Sequence, residues 1–352
     1  MTQRVYLGTY PTPVEHLHGA DGSWDLWVKR DDLTNARYGG NKVRKLERIL
    51  ADARAGGARR IVTVGAAGSH HVLATTIYGV AAGFTVEAVL IPQPRTDHVA
   101  MDLRASLAQG LVAFPARAWT MPFVLARRIL AGSHYVPIGG SSASGSMGYV
   151  DAARELAEQV RRGELPEPDT LVVTLGSGGT AAGLAAGLEL ESMKTRVVAV
   201  CVAKPAFVLG FRAKRLARAC VRLAGGNASQ RRGAADRLVI ESRFCGAGYG
   251  CATEAGEHAM VTWTSALASH ERHAATADVY GAHAAHAELD GTYTAKAFAA
   301  AVELAAARRQ ASVGSGREII LYWHTLSSAP MGPLLPGKEE RDLAPRLLRL
   351  LT

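Results

Sequence analysis

Gly39 to Glu47 reads GGNKVRKLE, and it follows the strand-like run Leu26 to Leu33, LWVKRDDL. Two glycines allow a tight turn without steric cost, and Asn41 then stands where a helix N-cap stands. Val43, Leu46, Ile49 and Leu50 recur at helical spacing, so the pattern predicts a helix whose first turn carries Lys42 and Lys45. Backbone N–H groups and the positive end of the helix dipole make an ammonium uncomfortable there and draw anions close. A lysine so placed suits work as an amine, the form a Schiff-base lysine uses. A basic amphipathic helix with solvated lysines has the same local pattern, so the decision lies further along the chain.

Working outward, short apolar runs alternate with helical patterns, which is the mark of an α/β chain. Strands are expected at Arg60–Val64, Val86–Ile91, Leu111–Phe114, Thr170–Leu175, Val197–Val202 and Glu318–Trp323. Helices are expected after Lys42, over His71–Ala82, Asp97–Gln109, Pro122–Leu130 and Tyr149–Arg162, then up to Leu190, over Glu254–Ala268 and Ala295–Arg308, and at the C-terminus. The Ser/Gly-rich IGGSSASGSMGY (138–149) and NASQRRGAA (227–235) read as loops, and PEPD (166–169) as a linker. Such alternation implies parallel sheets with ligands at the carboxyl ends of the strands.

Thr174 to Leu184, TLGSGGTAAGL, follows one of those strands and opens a helix, the setting in which exposed N–H groups cradle a phosphate. Gly176, Gly178 and Gly179 let the backbone approach, and Ser177 and Thr180 offer hydroxyls. No Lys-Ser/Thr follows, so it is not a Walker loop, and the glycines are not in G-x-G-x-x-G order. A lysine at one helix start and a phosphate cup at another are the minimum equipment for pyridoxal phosphate.

The bulk properties agree with an enzyme of ordinary composition. The 352 residues are 48% hydrophobic and 20% charged, enough for two packed domains and too apolar for a disordered chain. Cys201, Cys220, Cys245 and Cys251 form no C-x-x-C and no paired framework, which fits a reducing cytoplasm. The N-terminal stretch has no apolar core of a signal peptide, and no run reaches the length of a membrane span. The net charge of +9 is densest at Phe211 to Arg222, FRAKRLARACVR, a spacing that reads as a solvated helix face, and no nucleic-acid signature accompanies it. His270, His273, His283 and His286 form two H-x-x-H pairs without Cys or carboxylate partners at ligand spacing, so no metal is expected there.

Together, KRDDL, GGNKVRKLE, GSHH, GSGGTAAGL, GYG, LDGTYTAKAF and WHT stand in the order found in the D-cysteine desulfhydrase and 1-aminocyclopropane-1-carboxylate (ACC) deaminase family. The chain resembles that family from about Leu7 to about Ala329. The resemblance implies a two-domain, fold-type II, tryptophan-synthase-β-like pyridoxal 5'-phosphate enzyme, each domain an open, twisted, mostly parallel sheet flanked by helices. It implies a large domain of residues 1–47 and 151–352, a small inserted domain of residues 48–150, and a homodimer. By resemblance Lys42 is the Schiff-base lysine, flanked by Asn41, and Lys45 with Ser177, Gly178, Gly179 and Thr180 holds the phosphate. Ser69 faces the substrate carboxylate and the reacting carbons, His71 takes the next carboxylate-side position, Tyr249 and Tyr293 match two active-site tyrosines, and Thr325 places a hydroxyl beside the pyridine nitrogen.

Four features depart from the family pattern. His70 stands where Asn contacts the ring 3-oxygen, Leu326-Ser327 replaces a glycine pair and is expected to reshape the cofactor pocket, and Tyr249 and Tyr293 are 44 positions apart, more than usual. Thr294 stands where ACC deaminases carry Glu, which turns the expectation towards desulfhydration. The expected reaction is a lyase reaction on a small amino acid: Lys42 removes the Cα proton, a β substituent such as thiolate leaves, and a 2-oxo acid and ammonia result. ACC deamination, or a β-replacement on another amino acid, is the enzymatic rival; a nucleotide-binding module and a nucleic-acid binder are the others. Asp31 and Asp32 read as a buried turn or ion pair, and Trp24, Trp27, Trp323 and His324 as core.

Overall fold

The computed structural model describes residues 4–273, 287–311, 318–335, 337 and 343–352. The chain starts with strands β1 (Val14–His18) and β2 (Asp25–Arg30). Helix α1 (Lys42–Ala55), β3 (Arg60–Ala66), α2 (His70–Ala81), β4 (Thr85–Ile91), α3 (Asp97–Ala108), β5 (Val112–Pro115), α4 (Met121–Leu130) and β6 (His134–Tyr135) follow. Then come α5 (Ala143–Arg161), β7 (Thr170–Leu175), α6 (Gly179–Leu190), β8 (Arg196–Cys201), α7 (Ala206–Leu223), α8 (Ala228–Asp236) and β9 (Leu238–Glu241). The chain finishes with α9 (Glu254–His273), α10 (Thr294–Ala311), β10 (Ile320–His324) and the short α11 (Pro345–Leu348). No described helix is long and apolar enough to cross a membrane.

Contacts gather the chain into two units. One holds the N-terminal residues through Leu7, Lys42–Ser141 and the described part of Pro330–Thr352; the other holds Gly8–Asn41 and Ser142–Ala329. The sequence places the edges at 47 and 150 instead. All of α1 goes with the first unit, and so do both chain ends, because backbone bonds hold them there. Val5 N–H donates to the Glu47 carbonyl at 3.0 Å, and Gln93 N–H to the Leu350 carbonyl at 2.9 Å. Nothing in side-chain pattern records such backbone pairing.

In the second unit six strands run in the order β1-β2-β10-β7-β8-β9, all parallel except the edge pair β1–β2. Alternation along the central strands sends side chains to two different cores. Leu171, Val173 and Leu175 of β7, with Val197, Ala199 and Cys201 of β8, pack with α5, α6 and α7. Val172, Val198 and Val200 face the opposite way, onto Trp263 of α9 and Phe298 of α10. Helices on both faces explain why these strands are apolar throughout rather than every second residue. Helix α6 is buried from Gly179 to Leu188 and lies hard against α5. A β-carbon at Gly183 would stand 2.3 Å from the Ser146 carbonyl oxygen, so only glycine permits that approach.

The first unit has four parallel strands in the order β5-β4-β3-β6. Val62, Val64 and Val89 face Val124 and Leu125 of α4, whereas Ile61 and Val86 close on Gly79 of α2. Burying each such side chain contributes roughly 1.5–3 kcal/mol.

Three local expectations change. Helix α5 starts at Ala143 inside the Ser/Gly-rich stretch because Ser142 Oγ accepts from Gly145 N–H at 3.0 Å. Residues 228–236 are helix α8, since Asn227 and Gln230 form a reciprocal capping box. At the C-terminus only Pro345–Leu348 is helical among the described residues. His283, His286 and the side chain of His273 lie outside the described residues.

Asp31 and Asp32 are fully buried, as the sequence suggests, in a polar knot of the second unit. Arg30 Nε and Nη2 donate to the two oxygens of Asp32 at 2.9 and 2.7 Å, and Nη1 to Glu15 at 2.9 and 2.7 Å. Tyr149 Oη donates to Asp31 at 2.7 Å, and Thr12 Oγ1 to the same carboxylate at 3.0 Å. Burial opposes the charge on Asp32, but Arg30 and Ser328 outweigh it and hold the carboxyl below its ordinary value. That contribution to stability is complete above the ordinary carboxyl pKa and fades as pH falls through the lower, folded one. Asp32→Ala is expected to cost about 3–5 kcal/mol by stranding Arg30, read as a lower urea midpoint at pH 7. The difference from the parent should shrink in acid.

Candidate active site

Each unit brings one set of the expected residues together at the carboxyl ends of its strands. In the first unit, α1 carries Lys42 and Lys45, the turn after β3 carries Ser69, and the first turn of α2 carries His70 and His71. Lys45 is 2% exposed, and its Nζ donates to the Gly139 carbonyl at 3.0 Å. Burial, and then the neighbouring charge of Lys42, push its ammonium well below the ordinary lysine pKa. A buried ammonium pressed this way is relieved by an anion.

Ser69 caps α2, its Oγ accepting from Val72 N–H. His71 is buried, with Nε2 2.8 Å from Thr63 Oγ1 and Nδ1 3.4 Å from Thr75 Oγ1. Thr63 spends its own proton on the Val136 carbonyl at 2.9 Å, so it must accept from His71, and the ring is the Nε2–H tautomer. Burial, then Lys42 and Lys45, keep this histidine neutral, well below its ordinary pKa. His70 turns Nδ1 towards the buried Asp102 at 3.4 Å and Nε2 towards His98 Nε2 at 3.3 Å. His98 and Asp102, one helical turn apart on α3, were not singled out by sequence. The three side chains place their nearest ligand atoms within 4.8 Å of one another, with His98 Nε2 3.5 Å from the Asp102 carboxylate.

In the second unit the cup forms between β7 and α6. Gly178 is the N-cap of α6 at φ 94°, and no side chain caps that helix. A residue with a β-carbon is strained at that φ, and the Ala213 Cα would stand 3.4 Å from it. Asn41 ties three parts of this half together. Its Nδ2 donates to Thr180 Oγ1 at 3.1 Å, and its N–H to the Thr325 carbonyl at 3.1 Å. Thr325 follows β10 and is 8% exposed.

The departure at Leu326-Ser327 has a local purpose. Ser327 Oγ accepts from Gly39 N–H at 2.8 Å and Ala329 N–H at 3.2 Å, fixing the turn that delivers Asn41. A β-carbon at Gly39 would fall 1.8 Å from the Asp32 carbonyl oxygen, and one at Gly40 2.6 Å from that of Thr325. The turn therefore has room for glycine alone.

Tyr293 lies beside the cup: a β-carbon at Gly176 would be 3.5 Å from its Cε1. Its Oη donates to Tyr249 Oη at 2.6 Å, with the rings edge to face at 5.6 Å. Thr294, in place of the acidic residue of ACC deaminases, is buried and gives its hydroxyl to Asp290 at 2.8 Å. His324 is fully buried against Trp263, and burial lowers its pKa to about 4, so it is a neutral core residue. Asn41, Gly176 to Thr180, Thr325, Tyr249 and Tyr293 thus form one contiguous group, although sequence reading gave no sign that Asn41 is its hub. An uncapped helix start with a backbone open to close approach, threonine hydroxyls and a nearby phenol fits a phosphorylated aromatic aldehyde.

Comparison with known proteins follows the same line. Residues 5–322 match the family described as pyridoxal-phosphate dependent enzyme. Nocardicin C-9' epimerase of Nocardia uniformis subsp. tsuyamanensis is 34% identical over 342 residues, covering 94% of each chain. D-cysteine desulfhydrase of Salmonella paratyphi B is 35% identical over 218 residues, covering 57% of this chain and 65% of that one. A crystal structure of an ACC deaminase homologue superposes with a TM-score of 0.73 at 27% identity, covering 99% of this chain and 96% of the other. With a mostly parallel α/β architecture in both units and a match across most of its length, this chain belongs to the pyridoxal-phosphate dependent enzyme family and is an enzyme of the ACC deaminase and D-cysteine desulfhydrase type.

Proposed function

We propose that the enzyme removes the Cα proton of a small amino acid and expels its β substituent, as a D-cysteine desulfhydrase does. The observation that carries this reading is the phenol pair, Tyr293 to Tyr249 at 2.6 Å, beside the Gly176–Thr180 cup. Bound pyridoxal phosphate supplies an aldehyde that holds the substrate amine and a ring that takes up the electron pair left at Cα.

The chain's own groups divide the rest. Ser177, Gly178, Gly179 and Thr180 hold the phosphate through N–H groups and hydroxyls, and Lys45 balances its charge. Asn41 positions the cup through Thr180, and Thr325 meets the pyridine nitrogen with a hydroxyl. His70 is assigned to the ring 3-oxygen through its backbone N–H in the first turn of α2, since its two ring nitrogens turn to Asp102 and His98. Ser69 and Tyr249 face the substrate. His71, with both ring nitrogens engaged, offers the carboxylate its N–H in the first turn of α2. Lys42, as an unprotonated amine, accepts the Cα proton. Tyr293 relays a proton through Tyr249 to the departing thiolate, and the unsaturated amine released hydrolyses to a 2-oxo acid and ammonia. A cytoplasmic homodimer is proposed with it, in keeping with four free thiols.

One observation favours a second reading, epimerisation at Cα: the relative matched over 94% of both chains is an epimerase. The same phenol pair can return a proton to Cα instead of giving one to a leaving group.

Incubation in D2O with D-cysteine, L-cysteine, D-serine and ACC separates the two. Sulfide and pyruvate from D-cysteine without ACC turnover are expected. Deuterium at an inverted Cα with no 2-oxo acid identifies the epimerase, and neither a 2-oxo acid nor Cα exchange with any amino acid contradicts both. Tyr293→Phe is expected to lower kcat about 100-fold with little change in cofactor absorbance. Gly178→Ala should instead weaken pyridoxal phosphate binding about 10-fold or more, seen by absorbance titration, because the strained N-cap displaces the cup.

A further inference from the structure

The two phenols stand on segments of very different stiffness. Tyr293 precedes α10, whose start is fixed by Asp290: one oxygen accepts from Thr292 and Tyr293 N–H at 2.9 and 2.6 Å, the other from Thr294 Oγ1 at 2.8 Å. Tyr249 stands in a loop where Gly246, Gly248 and Gly250 all have positive φ, at 62°, 132° and 78°. Such a run of glycines leaves the backbone many alternatives. Within it, Cys251 N–H reaches the Gly248 carbonyl only at 3.4 Å.

Lys296 lies three residues beyond Tyr293 on α10, with no exposed surface. Its Nζ donates to the Cys245 carbonyl at 3.0 Å and to the Gly248 carbonyl at 3.2 Å. Those two carbonyls bracket the loop just before Tyr249. We propose that Lys296 is a positioning residue, tying the Tyr249 loop to the helix start that carries Tyr293 and so setting the 2.6 Å phenol contact. Buried carbonyls need donors, and a long amine reaching from a rigid helix can satisfy two at once. Burial works against the ammonium form, while Cys245, Cys251 and Asp290 support it; either form has N–H groups to give. An apolar side chain of the same length fills the space but leaves both carbonyls without this donor. The proposal rests on the phenol pair moving a proton, and it adds a residue that never touches the substrate.

The test compares the holoenzyme with Lys296→Met and Lys296→Gln by hydrogen exchange of the 244–251 peptide and by steady-state kinetics. With Lys296→Met, exchange in that peptide is expected to quicken about 10-fold or more, while peptides from β7 and β8 stay protected. Its kcat should fall about 10-fold or more with KM within about threefold, and Lys296→Gln, whose amide still donates, should recover most of both. Unchanged exchange in Lys296→Met overturns the proposal, and so does faster exchange with unchanged kcat. Should Lys296→Met not fold, Lys296→Ala with added methylammonium replaces it: restored protection and kcat support the clamp, and no restoration overturns it. Should the parent turn over no amino acid, the proposed function fails by itself, and the exchange measurement alone decides the clamp.

Discussion

The turn at Gly39 and Gly40 has no space for a side chain, and the rest of the site depends on that steric demand. Gly39 lies against the Asp32 carbonyl and Gly40 against that of Thr325, while the Gly39 N–H is held by Ser327. With the backbone pinned on both sides, Asn41 has one direction to go, and it bonds Thr180 and Thr325. Lys42 follows as the first residue of α1. The buried knot of Arg30, Asp31 and Asp32 supplies the rigidity beneath this turn, so a cluster that looks catalytic by composition acts through geometry.

The electrostatics divide just as clearly. At the starts of α1 and α2, buried Lys45 is pressed towards its neutral form and buried His71 is held there, each by burial and by a neighbouring lysine charge. Such a region favours an anionic partner and keeps histidine out of the acid–base chemistry near neutral pH. Around the Gly176–Thr180 cup the polar groups that meet are hydroxyls, an amide and phenols with directed hydrogen bonds. Proton movement by phenols and a lysine, without a charged histidine, is the chemistry this division supports.

Much of this was legible in the sequence where one residue type has one physical use. Gly-Gly-Asn before an amphipathic helix, glycines between an apolar strand and an apolar helix, and four-residue runs of Val, Leu and Ala each have a local cause. Asp31, Asp32 and His324 were readable as buried structure for the same reason. What escaped depends on tertiary pairing. The role of Ser327 is visible only once Gly39 is beside it, that of Asp102 only once α3 meets the start of α2, and the partners of Lys296 lie about fifty positions away. Helix α8 was missed because small and polar residues resemble a loop until a capping box fixes the first turn. The substituent at Cβ, and hence elimination against inversion, depends on shape around Tyr249 that no motif encodes.

The proposed chemistry turns on Lys42. Reduction of the pyridoxal phosphate-loaded enzyme with borohydride, followed by peptide mass mapping, tests its assignment directly. The reduced pyridoxyl label is expected on Lys42, and it should disappear in Lys42→Ala. A label on Lys45, Lys296 or any other lysine, or no label at all, would contradict it.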